Sequence, residues 1–88
     1  AKAMEYYREA ADIARQHRDH RFEGICLGGL ACAEHAGGEA QRARDTAERA
    51  WTTLGDYLDT NAAKIKARLR RVFPDIGIRR SVDELCPL

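Results

Sequence analysis

Ala43-Arg44-Asp45-Thr46-Ala47-Glu48-Arg49-Ala50 repeats a cadence that first occurs forty positions earlier, in Ala3-Met4-Glu5-Tyr6-Tyr7-Arg8-Glu9-Ala10. In each stretch a small or aromatic side chain stands at the first, fifth and eighth position, and charged residues fill most of the gaps. Spacings of four and three place those positions on one face of an α-helix. Two helices of one pattern, with a third apolar segment between them, imply a helical repeat, and a helical repeat implies a binding scaffold. The pattern makes the class of activity arguable but names no ligand.

Outward from these stretches the chain reads as four helices. The first, expected over 2–16, sets Ala3, Tyr7, Ala10 and Ala14, with Met4, Ala11 and Ile13 alongside, against a charged face. Asp19 is placed to cap a second helix over 20–36. Its Phe22, Ile25, Cys26, Leu27, Leu30, Ala31, Cys32, Ala33 and Ala36 leave it apolar on nearly every side, so it should be the most buried. Gly24, Gly28 and Gly29 lie inside that helix, each at a cost of about 1 kcal/mol relative to alanine; close approach of neighbouring helices is the expected compensation. Gly37-Gly38 should end it. A third helix over 39–54, with Ala40, Ala43, Ala47, Ala50, Trp51 and Leu54 on its stripe, should run antiparallel to the second. Gly55-Asp56 repeats the stop and cap, and Asp56 and Asp59 favour the positive end of a fourth helix over 57–73. Its stripe is Leu58, Ala62, Ile65, Leu69, Val72 and Phe73, and Pro74 stops it. Residues 74–88 read as a tail, with Ser81-x-x-Glu84 as a capping box for one short further turn.

Eighty-eight residues make one small domain, which buries only about 60–65% of its unfolded surface and needs a tightly packed core. With 44% hydrophobic residues, many of them alanine, and 7% aromatic, the composition suits helices in close contact, so the expected class is all-α. Net charge is +1, which exerts no general pull toward nucleic acid or membrane. The distribution is uneven: residues 1–63 hold 8 basic and 11 acidic side chains, residues 64–80 hold 7 basic and one acidic. Three cysteines at irregular spacing argue for free thiols in a reducing compartment, by default the cytoplasm. No apolar run approaches the ~20 residues needed to span a bilayer. The chain begins at Ala1 and enters directly into a helical pattern, so a piece of a longer protein is expected.

Leu27, Leu30, Ala31, Gly38, Ala43, Ala47 and Ala50, with Ala3, Tyr7 and Ala10 before them, resemble the signature of a tetratricopeptide-repeat array of the long-period kind, over residues 3–73. Glu34 and Ala47 stand where that family usually has aromatics. The segment Ala67-Arg68-Leu69-Arg70-Arg71 followed by Gly77-Ile78-Arg79-Arg80 also resembles the last repeats of large bacterial regulators whose helical arrays follow an ATPase module. The resemblance implies antiparallel helical hairpins stacked as a short superhelix, with a groove lined by helices two and four that receives a peptide or helix. Arg21, Glu34, Lys64 and Arg68 are the residues it places there. It also implies that helix one exposes a face covered by a neighbouring repeat of a parent chain, or by a second copy in a homodimer.

Other chemistries are weaker. Lys64, Lys66, Arg68, Arg70, Arg71, Arg79 and Arg80 form a basic stretch able to meet phosphates or an acidic partner. The favoured reading is a solvated helix face with cations at its C-terminal end, and nucleic-acid binding is the alternative. Cys26 and Cys32 are six residues apart, about 240° around a helix at 100° per residue, so they share no metal ion. Cys32 and His35 share one side but lack a third group to orient the histidine. No enzyme, cofactor or metal is expected. Glu34, at a semi-buried site, should pair with Arg or Lys or else contribute specificity to the groove, and the former is favoured. Trp51 reads as a plug between helices.

Overall fold

Local caps and turns set the helix boundaries. The structure, a computed structural model, describes residues 2–76. It contains α1 (Lys2–Gln16), α2 (His20–Ala36), α3 (Ala40–Leu54) and α4 (Thr60–Val72), with no strand among the described residues. The protein is all-α. Asp19 Oδ1 accepts the Phe22 N–H at 3.1 Å and starts α2. The two turns around α2 close alike: Asp19 N–H donates to the Ala14 carbonyl at 2.8 Å, and Glu39 N–H to the Glu34 carbonyl at 2.9 Å. Just before each closing residue the backbone is left-handed, at Arg18 (φ 57°) and Gly38 (φ 86°). Glycine adopts that conformation freely, whereas the arginine does so at a cost of roughly 1 kcal/mol.

The fourth helix starts three residues later than its charge pattern suggests. Asp59, not Asp56, is the cap: its Oδ2 accepts the Ala62 N–H at 3.2 Å from an extended backbone (φ −68°, ψ 164°). Leu58, placed by the pattern on the buried stripe, falls in the connection and is 89% exposed. Beyond α4 the chain turns back, with Ile76 N–H donating to the Phe73 carbonyl at 3.0 Å. Phe73 and Ile76 are both buried in the core. The capping box at Ser81 and Glu84 lies outside the described residues.

Helix α3 meets the alanine expectation except at its first residue: Ala43, Ala47, Ala50 and Leu54 are completely buried and Trp51 half-buried, while Ala40 is exposed. Helix α1 meets it only partly. Its inward face is Met4, Tyr7, Ala11 and Ala14, while Ala3 is exposed and Ala10 half-buried, so the stripe shifts by one residue at its first and third positions and holds at Tyr7 and Ala14. The displaced residues leave Tyr6 and Ile13 facing solvent, 65% and 50% exposed.

Helix α2 is the centre of the molecule. It packs against α1, α3 and α4, whereas no Cα of α1 comes within 8 Å of α3 or α4. Its three internal glycines each receive a side chain from a different helix. A methyl group at Gly24 would lie 2.6 Å from Leu54 Cγ of α3, one at Gly29 would lie 2.6 Å from Tyr7 Cε1 of α1, and one at Gly28 would overlap Ile65 Cγ2 of α4. The missing Cβ atoms are what let three helices settle on one, and that contact offsets the intrinsic cost of glycine in a helix.

Candidate functional site

Two open grooves run along α2, one on each side. The first lies between α2 and α4 and holds about 700 Å³. Phe22, Ile25 and Ile65 form its apolar part, and Arg21, Lys64, Arg68 and Arg71 stand around them. The cations of α4 converge because positions 64, 68 and 71 follow the four-and-three spacing of one helix face. No ion pair holds Lys64, Arg68 or Arg71 among the described residues, and no carboxylate lines the groove.

Arg21 is anchored differently. Its Nη2 donates to Asp59 Oδ2 at 2.7 Å, tying α2 to the cap of α4. That hydrogen bond, joined by the Ala62 N–H, holds the Asp59 carboxyl well below the usual carboxylate range, at about 2. The structure thus brings Arg21, Lys64 and Arg68 together around one groove, and adds Arg71, Phe22 and Ile25.

The basic stretch does not form one surface. Lys66 Nζ donates to the Tyr57 carbonyl at 3.0 Å, and the Arg70 guanidinium lies 5.0 Å from the centre of the Trp51 ring. Both face away from the groove. Trp51 is a half-buried ring packed on the core and covered by that cation. Arg79 and Arg80 lie outside the described residues.

Glu34 is on the other side of α2. Thirteen residues separate it from Arg21, about 140° around the helix, so the two cannot line one groove. It lies instead in the second groove, floored by α2 and flanked by α1 and α3, where it is only 1% exposed. Arg8 Nη2 approaches Glu34 Oε2 to 3.7 Å, too far for a hydrogen bond, and Oε1 has no partner among the described residues. The residue is far more buried than its sequence position suggested, and the pairing expected for it is weak. A helical wheel drawn from Leu27 and Leu30, seven and four residues before it, carries the signal that places it on the buried face.

Burial pushes the thiols of Cys26 and Cys32 up, away from the reactive thiolate. The His35 ring stands edge-on to Phe73, with ring centres 5.4 Å apart. Among the described residues no three His, Cys, Asp or Glu side chains converge as a metal site would require. None of the helices among them is long and apolar enough to cross a membrane. Comparison with protein families, with curated proteins and with solved structures returned no match.

Proposed function

We propose that this chain is a non-catalytic, tetratricopeptide-like segment of a larger bacterial signalling or transcription-regulatory protein, and that it binds a polypeptide in the groove between α2 and α4. The observation that carries the reading is the groove itself: three cations without an ion pair among the described residues stand over Phe22, Ile25 and Ile65, with no acid in the lining. An acidic segment with apolar side chains complements that surface, the cations setting orientation and the floor supplying burial. The open packing order supports the array: α2 packs against the other three helices, and among them the backbone of α1 comes close to α2 alone, as expected where each unit touches its neighbours. The exposed Tyr6 and Ile13 of α1 then mark the face that a neighbouring repeat or a second copy covers. A reducing cytoplasm suits the free Cys26 and Cys32.

Titration with a short synthetic peptide alternating glutamate and leucine tests this. Saturable binding is expected, weakened about tenfold or more by the double change Lys64→Glu and Arg68→Glu, with the thermal melt unchanged. Equal affinity in the double variant rejects the reading. A second reading, nucleic-acid binding, draws on Phe22: its ring is 43% exposed within the groove, where a base could stack. Salt separates the two. Affinity for single-stranded nucleic acid should fall steeply with log salt, whereas peptide affinity should largely survive roughly 0.5 M.

A further inference from the structure

The groove on the other side of α2 holds a carboxylate that the described residues do not satisfy. Among them, Glu34 has a side chain 2% exposed, no partner on Oε1 and only the half-exposed Arg8, beyond hydrogen-bond reach, near Oε2. Buried carboxylates ordinarily accept several hydrogen bonds or bind a cation. The space beside this one is open, about 320 Å³ over Ala11, Leu27 and Leu30. It continues into a second trough of about 490 Å³ that shares Leu27 and reaches Thr53. From Glu34 to Glu23 the floor runs about 16 Å along α2, room for roughly five extended residues.

Charge along this path leans acidic by one, five carboxylates against four arginines. Of those arginines, Arg15 is held by Asp12 at 3.0 Å and Arg42 by Glu39 at 3.6 Å, while Arg49 stands without an ion pair among the described residues. Asp45 and Glu48 line the trough without an ion pair among the described residues. Among the described residues neither oxygen of Glu34 accepts a hydrogen bond, which suits a guanidinium with its several N–H donors better than a single ammonium.

We propose that this groove binds a partner polypeptide through one arginine, whose guanidinium takes the place of Arg8 beside the Glu34 carboxylate while its methylenes lie over Leu27 and Leu30. The site is independent of the groove between α2 and α4. The elongated, open trough points to a chain with residues on either side of the arginine, rather than to a free amine held at one end.

The test is an amide-resolved titration of the isotopically labelled chain with the blocked peptide Ala-Leu-Arg-Leu-Ala and with the same peptide carrying citrulline, the uncharged isostere. Saturable shifts are expected at Ala11, Leu30, Glu34 and Thr46, with affinity about tenfold or more weaker for citrulline. Glu34→Gln should abolish the preference for arginine, and Lys64→Glu with Arg68→Glu should leave it intact. Equal affinity for the arginine and citrulline peptides overturns the proposal, and because that contrast uses the wild-type chain it holds even if Glu34→Gln unfolds. Agmatine binding as tightly as the arginine peptide overturns the assignment to a polypeptide. Shifts confined to α4 place binding in the other groove and equally reject the site.

Discussion

On its α4 side, α2 is bordered by cations whose charged heads reach into water above an apolar floor; on its α1 and α3 side, a carboxylate is carried into the floor itself. The difference is one of solvation. Lys64, Arg68 and Arg71 stay exposed, so the protein forgoes little by keeping them there. Glu34 is withdrawn from water without a hydrogen bond in return from the described residues, which makes folding less favourable. One surface is compatible with stability at almost no cost, and the other is maintained against it.

Leu30 gives the largest effect. It is 6% exposed and lies in the floor of the Glu34 groove, at the point where α2 meets α1 and α3. Leu30→Ala should destabilise the chain by about 2–5 kcal/mol, read as a shift of the denaturant midpoint. A wild-type midpoint would show that α2 is not the centre of the fold.

Glu34 itself sharpens the contrast. Replacing it with methionine, close in volume and free of charge, should raise stability by about 1–2 kcal/mol, because the lost attraction to half-exposed Arg8 is smaller than the relieved desolvation. The arginine peptide should lose its binding in the same variant. If Glu34→Met is instead destabilising, the 3.7 Å approach of Arg8 is worth more than its geometry implies, and the carboxylate is structural.

Gly28 probes the opposite side. An alanine there overlaps Ile65, a branched side chain of α4 with little room to retreat. A net loss of about 1–2 kcal/mol is expected once the better helix propensity of alanine is counted. The displaced α4 should weaken the acidic peptide and leave the arginine peptide unaffected. Loss of both would mean that the two sides of α2 are one cooperative unit.

What the sequence made legible follows the same division. The bounds of α1 and α2, the burial of Ala43, Ala47 and Ala50, and the close contacts at the glycines were readable because each depends on spacing along one helix or on the size of one residue. Lys64 and Arg68 reached their groove for the same reason, being four apart on α4. What was not readable came from contacts between elements. Asp59 outcompetes Asp56 as the cap because Arg21, thirty-eight residues away in sequence, holds its carboxylate. On α1, Met4 and Ala11 face inward in place of Ala3 and Ala10, a choice made by the packing on α2 that the spacing of one helix leaves open. The Glu34 groove needs α1 and α3 side by side on α2, and periodicity within a single helix carries no information on that.

The Arg21–Asp59 pair supplies the smallest of these effects and bears on one side only. The carboxyl titrates at about 2 in the folded chain, below its ordinary unfolded value of about 3.9. A depressed folded value means that the unfolded chain binds the proton more readily, so the pair's contribution is complete above about pH 4 and is lost as pH falls toward 2. Thermal melts followed over that interval should drop further for the wild type than for Asp59→Asn, which has no carboxylate to protonate there. Because the pair ties α2 to the start of α4 and touches neither α1 nor α3, amide exchange should quicken at Ala62 and Ala63 before it does at Ala11 or Thr46 under the same acidification. Uniform quickening across all four helices would mean that the α4 side has no separate anchor, and the contrast between the two sides of α2 would then be one of surface chemistry alone.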